Sequence, residues 1–503
     1  MYSNSADTNP RPKHPRAPWL IGGLIILGIA LDAGQQQTLA ALVFASAIVG
    51  FFLFILNSWS TPSAFLGFWV WVHLEDLVRL VTESLTIFFV KVALLAALFI
   101  GYYTRRRAQD APLKNPVALP LFLYILMVGF QCFNPNIQHP LLPLVGIHSK
   151  LLYILLLPIS TAYFDSGWKV RQFLGFLLLA LALESAVAML QYFNDPHWWY
   201  TMLSLSSKAE VIGQRPYAMT ETLLKTGSIF NNPGRFGQLV IMCFIVCLGS
   251  FSVFNRSRLL RAFWVLCVAT IFVGGVLIPS GRAIFYVAVM SLAAIFLLHS
   301  RPARTRRYAI ALLPFVIWAG NWIILRTDPN IKEFFLESFS SGGGSDTVGD
   351  RVDRGLKQLY SSLVNEGLTG HGTGTSSQGR QYVVGFGGLS GKENGYAALI
   401  WEFGIFGVLL WLFLMWSLFR QAVKIYVEVR DTEYSKLAFS FIVLLVAALI
   451  LQYVGMQYLE NYIVALHFWT FMGLLFALPR LAGKPGGNPP QHSDASSPSQ
   501  HHR

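Results

Sequence analysis

The side chains with chemical capacity gather in the longest polar interval of the chain, residues 326–407, between stretches that are otherwise one apolar run after another. The interval opens acidic and apolar and loosens into Ser341-Gly342-Gly343-Gly344-Ser345. Arg351, Arg354 and Lys357 follow at three-residue spacing, so all three lie near one face of a helix. Then come Gly370-His371-Gly372-Thr373-Gly374, Arg380 and Glu393-Asn394, before the chain re-enters an apolar helix through Glu402-Phe403-Gly404-Ile405-Phe406-Gly407. A guanidinium group is a planar fork that holds phosphate through two bonds, and a carboxylate or an imidazole can take a proton. Glu393 and His371 are therefore rival general bases, and Arg351, Arg354 and Arg380 are candidate anion ligands. Each has a plain alternative. Glu393 suits the positive end of a helix, His371 suits an exposed glycine loop, and the cations suit a solvated helix face. The glycines of 370–374 resemble a phosphate-cradling nest but lack the Lys-Ser/Thr of a P-loop.

What must position these residues is a membrane bundle. Of 503 residues, 54% are hydrophobic and only 13% charged, and the mean hydropathy is +0.51. Repeated apolar runs of about 16–22 residues predict an all-α polytopic membrane protein with about 12–14 transmembrane helices. The predicted spans are 18–33, 38–57, 61–78, 85–103, 117–133, 151–163, 172–193, 236–254, 262–277, 283–299, 310–325, 396–418, 437–454 and 462–478. The span at 61–78 is short and runs into Glu75, Asp76 and Arg79. Retaining it sends the basic tail and the short basic loops to one side, with 23 Lys and Arg there, as the positive-inside rule expects of a cytoplasmic face. Topology thus accounts for most of the net charge of +13 without nucleic acid.

The expected organisation is a basic cytoplasmic tail (1–17) and a transmembrane bundle (18–325) carrying an external loop at 194–235. A large external, periplasmic loop (326–395), C-terminal spans (396–479) and a disordered cytoplasmic tail (480–503) complete it. Cys132, Cys243, Cys247 and Cys267 fall in or at the ends of spans, so neither a disulfide framework nor a zinc site is expected. Lys91, Glu184 and His467 are ionisable groups at membrane depth and functional candidates by default; a Lys91–Glu184 bridge is the plain reading of the first two.

Four stretches, in order, resemble the O-antigen polymerase/ligase superfamily. Asn134-Pro135 leads through Gly146 to Lys150-Leu151-Leu152-Tyr153. After an external stretch with Arg215 comes Thr226-Gly227-Ser228-Ile229-Phe230-Asn231-Asn232-Pro233. Ser280-Gly281-Arg282 opens a span, and a large loop ends in Gly370-His371-Gly372-Thr373-Gly374, then Glu393-Asn394, nine residues, and Gly404-Ile405-Phe406-Gly407. The last pattern is similar to the ligase signature, with Glu393 where the ligase has His.

The resemblance implies a metal-independent, inverting glycosyltransferase without cofactors. It would act on undecaprenyl-pyrophosphate-linked glycan at the external face of a bacterial inner membrane, with both termini cytoplasmic. It further implies that Arg215 and Arg282 stabilise the departing pyrophosphate and that Asn394 orients a sugar. Flippase and chain-length regulator proteins would be its partners, and nucleic acid would not. Glu393 tilts the expectation toward a polymerase of repeat units. A ligase to lipid A–core or a protein hydroxyl is the alternative, and a lipid-linked sugar transporter the reading from another class.

Overall fold

A computed structural model describes residues 38–82, 87–105, 117–193, 217–219, 224–226, 228–230, 233–255, 257–277, 282–298, 348–380, 383, 394–453 and 458–483. Among the described residues, six helices are long and apolar enough to cross a membrane: Leu142–Tyr163, Gly167–Phe193, Arg258–Leu277, Gly395–Glu428, Ser435–Tyr453 and Tyr462–Ala482. Shorter apolar helices at Ala47–Ser58, Phe89–Thr104, Ala118–Phe133, Gly234–Gly249 and Ile284–Phe296 accompany them. The chain is a helical membrane protein. The predicted spans 18–33 and 310–325 lie outside the described residues, as do the two tails before residue 38 and after residue 483.

The chain divides into two compact units, Met1–Arg107 and Ala108–Arg503. The first holds α1 (Thr38–Ser58), α2 (Pro62–Thr82) and α3 (Phe88–Arg105). Helix α2 does not end where its charges begin; it runs through them, because they are paired. Arg79 Nη1 lies 3.2 Å from Asp76 Oδ1, and Lys91 Nζ of α3 lies 2.6 Å from Glu75 Oε1. All four are buried, where a lone charge would be prohibitive and an opposite partner is required. The Lys91 bridge is therefore to Glu75, not to the Glu184 expected from sequence.

The second unit begins with α4 (Ala118–Phe130), which tightens into a 3₁₀ turn at Gln131–Phe133. Next come α5 (Leu142–Lys150), a 3₁₀ segment at Leu152–Leu155, α6 (Leu156–Tyr163) and α7 (Gly167–Phe193). A small hairpin of β1 (Tyr217–Met219) and β2 (Leu224–Thr226) pairs antiparallel, Ala218 opposite Lys225. Helix α8 (Pro233–Gly249) precedes α9 (Arg258–Thr270), which continues as a π-helix through Ile271–Leu277, and α10 (Arg282–Ala293), which does so through Ala294–Leu298. Then follow α11 (Val348–Asn365), α12 (Gly395–Glu428), α13 (Ser435–Tyr453) and α14 (Tyr462–Ala482). Helix α14 is apolar all round, and such a helix belongs in a core; nearly every residue of its span is buried. Gly473 makes this possible, since a Cβ there would meet Ser160 Cβ at 2.6 Å and Leu157 O at 2.7 Å. A small residue at such a crossing lets two membrane helices approach closely. His467 lies on α14, its Nδ1 2.7 Å from its own Ile463 carbonyl.

Candidate functional site

The end of α12 that receives the polar interval is broken on purpose by one residue. Gly404 has φ 67° and ψ −168° inside the helix, a region essentially closed to residues with a Cβ. A continuous helix would bond the carbonyls of Trp401 and Glu402 to residues 405 and 406. Here the loop takes them: His371 N–H donates to Trp401 O (2.8 Å) and Gly372 N–H to Glu402 O (2.9 Å). The other edge of the loop is held by the end of α4. Gln131 Nε2 donates to Thr369 O (2.6 Å), Asn134 Nδ2 to Gly370 O (3.1 Å), Thr373 N–H to Gln131 O (3.1 Å) and Thr373 Oγ1 to Val128 O (2.8 Å). Gly374, at φ 86°, lies against the Leu142 carbonyl and Gly146, leaving no room for a side chain. Segments more than 230 residues apart are stitched into one body.

Changing Gly404 to Ala is expected to lower stability by about 1–3 kcal/mol from backbone strain alone. The new Cβ also meets Leu368 O and Thr369 N. Thermal unfolding of the purified protein in detergent checks this, and an unchanged midpoint would remove the kink as a structural requirement.

Beneath the loop lies a buried charge cluster. Lys150 Nζ is 2.5 Å from Glu460 Oε1 and 3.1 Å from Glu402 Oε2, and it sits 5.5 Å from the centre of the Phe403 ring. Glu402 Oε1 accepts from Ser376 N–H at 2.8 Å, so the same carboxylate binds both the ammonium and the loop. Glu460 is flanked by Tyr458 and Asn461, which bond Gln238 of α8 through its carbonyl (3.2 Å) and Oε1 (2.8 Å). A cavity of about 40 Å³ adjoins the cluster, lined by Tyr124, Lys150, Gln452, Glu460, Trp411 and Phe468 among others. That is room for water beside Glu460 Oε2, which has no hydrogen-bond partner among the described residues.

On the outer side of the loop, His371 stacks flat on Trp401, ring centres 4.1 Å apart and planes 8° from parallel. Its Nδ1 lies 3.3 Å from Glu366 Oε2 and 3.3 Å from Trp401 O. Both neighbours are acceptors, so the tautomer they favour carries its proton on Nδ1 and leaves Nε2 with a free lone pair. Its side chain is 34% exposed. An imidazole oriented by a carboxylate and partly exposed is an arrangement a general base can use. Arg380 is buried; Nη1 donates to Thr375 O (2.9 Å) and Nη2 to Gln138 Oε1 (3.0 Å). Both partners are neutral, and Nε has no partner among the described residues. Among the described residues no carboxylate pairs with this buried guanidinium, which is electrostatically set for an anion.

The other sequence candidates fall in different places. Asn394 is buried and caps α12, its Oδ1 accepting from Tyr396 N–H (2.9 Å) and Ala397 N–H (3.2 Å). That is helix capping, and this side chain is engaged in structure where sequence assigned it to a sugar. Arg354 and Lys357 are exposed on α11, and Arg351 belongs to the same helix. Arg282 begins α10; its side chain, with Arg215, Glu393, Ser280 and Gly281, lies outside the described residues. Ser228 takes φ 56° and is clasped by α7: its N–H donates to Gln191 Oε1 (2.9 Å) and its Oγ to the Glu184 carbonyl (2.6 Å). Sequence reasoning passed over Gln131, Glu366, Glu402 and Glu460, and treated Lys150 only as the start of an apolar run. The signal was an ionisable residue bordering an apolar span for Lys150 and one inside the predicted span 396–418 for Glu402. No protein-family model and no curated protein matches the chain.

Proposed function

We propose that the chain is a glycosyltransferase of the external face of the inner membrane, joining polyprenyl-pyrophosphate-linked repeat units into O-antigen or exopolysaccharide. One observation carries this reading most. Two of the four stretches that resemble the polymerase/ligase superfamily, the first and the last, are distant in sequence and meet in space: Asn134 bonds Gly370, Gly146 packs on Thr373 and Gly374, and Lys150 bridges to Glu402 beside Gly404. In the proposed reaction the acceptor hydroxyl gives its proton to His371 Nε2 as its oxygen attacks the anomeric carbon from the face opposite the phosphate. The carbon–oxygen bond to the carrier breaks, and polyprenyl pyrophosphate leaves with the electron pair. Arg215, Arg282 and Arg380 would offset the charge that builds on it. Glu393 is the rival base and also the feature that favours a polymerase over a ligase.

Reconstituted protein supplied with lipid-linked repeat units tests this directly. The expected product is a ladder of lengthened glycan still on the polyprenyl carrier, abolished in Arg282→Ala and Arg215→Ala at equal protein level. Lys at either position should rescue only in part, because an ammonium lacks the fork. Transfer to lipid A–core without lengthening would favour the ligase. Movement of intact substrate across the bilayer without new glycosidic bonds would favour the transporter and end the transferase reading.

A further inference from the structure

Helix α11 has three faces, and only two of them are accounted for. One packs on the bundle: Gly355 and Ser362 are buried, Asn394 N–H donates to Gln358 Oε1 at 3.0 Å, and Tyr453 Oη donates to Val352 O at 3.2 Å. A second carries Arg354, Lys357 and Ser361, all exposed. The third is apolar and uncovered. Val352, Leu356, Tyr360 and Val364 follow one another at four-residue steps, with Leu363 three residues beyond Tyr360, a single stripe on an α-helix. Leu356 is 51% exposed, Val364 63% and Tyr360 71%.

The place of this stripe says what covers it. Asn394 caps the first turn of α12, and Tyr453 is the last residue of α13. These two helices follow each other through a short turn and are antiparallel, so both contacts lie at the same end of the bundle. Helix α13 has 19 residues, a length that just crosses the hydrocarbon core, so its last residue, Tyr453, reaches the bilayer boundary. Helix α11 is thus tied to the boundary by both, with its apolar stripe about a third of a turn from the packed face and its cations beyond it. A helix with an apolar stripe and a basic polar face, held at this level, lies in the plane of the interface. We infer that α11 is an interfacial helix whose Val352–Leu356–Tyr360–Val364 stripe is covered by the acyl chains of the phospholipid leaflet. Arg354 and Lys357 stand at headgroup level beside it. The polar loop it precedes is then anchored on the membrane surface rather than suspended in water, which is independent of the reaction proposed above.

Nitroxide labels read this. In a Cys132→Ser background, whose remaining cysteines are buried, single substitutions Leu356→Cys, Tyr360→Cys, Lys357→Cys and Ser361→Cys are labelled. The protein is then placed in proteoliposomes of phosphatidylethanolamine and phosphatidylglycerol. Labels at 356 and 360 are expected to relax with oxygen, which partitions into lipid, and to be shielded from a water-soluble nickel chelate. Those at 357 and 361 should show the reverse. The inference is overturned if all four are reached by the chelate, or if 356 and 360 are shielded from both agents, since that pattern means a protein partner covers the stripe. Labelling efficiency and a parental unfolding midpoint in each variant exclude misfolding as the source of either result.

Discussion

His371→Gln is expected to lower polymer-forming turnover by about 10²–10⁴-fold, the range for removal of a general base. The fold should be little affected, because the ring is partly exposed and its stack on Trp401 is one contact among many that hold the loop. Glu366→Gln should cost less in the same direction, since it keeps the shape of the group that orients Nδ1 and removes only its charge. Donor binding should barely move in either variant, because the proposed reaction gives that contact to the cations. The competing experiment is Glu393→Gln under the same assay. Should it produce the large loss while His371→Gln remains within about a factor of three of the parent, the base is Glu393 and the imidazole is structural.

Lys150→Met should be the most damaging single change to stability. The substitution leaves Glu402 and Glu460 facing each other in the interior without their shared ammonium, and breaking a buried ion pair by deleting one partner costs about 3–5 kcal/mol. The loss should appear as a lower unfolding midpoint in detergent and as reduced accumulation in the membrane. It should also loosen the loop, because Glu402 binds Ser376 as well as Lys150. The companion triple variant Lys150→Met, Glu402→Gln, Glu460→Gln removes all three charges and should regain much of the stability, though not the geometry of the loop. If Lys150→Met unfolds at the parental temperature, the cluster does not hold this end of the bundle together.

The charge clusters also explain where helix boundaries defeat a reading of hydropathy alone. Helix α2 reads as a span that decays at Glu75, Asp76 and Arg79, yet it continues to Thr82 with those groups buried and paired. The reason is Lys91, sixteen residues on, which a window of apolar residues does not connect to Glu75. In the same way the predicted span at 151–163 is joined to α5, so that the spanning element is Leu142–Tyr163. Lys150 at that junction is tolerated because Glu460 and Glu402 come to meet it.

Composition and apolar run length were enough to determine that the chain is a helical membrane protein, because no other use of so many spans buries their surface. The positions of α7, α13 and α14 are legible within a few residues for the same reason. The glycine pattern of 370–374 also announced an unusual backbone, and Gly370, Gly372 and Gly374 do take positive φ. The break at Gly404, by contrast, falls inside the predicted span 396–418, which hydropathy reads as one continuous helix. Tertiary structure alone decided what those glycines are for. The break at Gly404 frees two carbonyls, and the loop at 370–374 fills them. Nothing in the spacing of either stretch indicates the other as its partner. The same holds for Lys150 with Glu402 and Glu460, and for the carboxylate of Glu366 beside His371. Ion pairs and orienting contacts between distant segments depend on how helices stack, and stacking is set by side-chain packing over the whole bundle rather than by any local period.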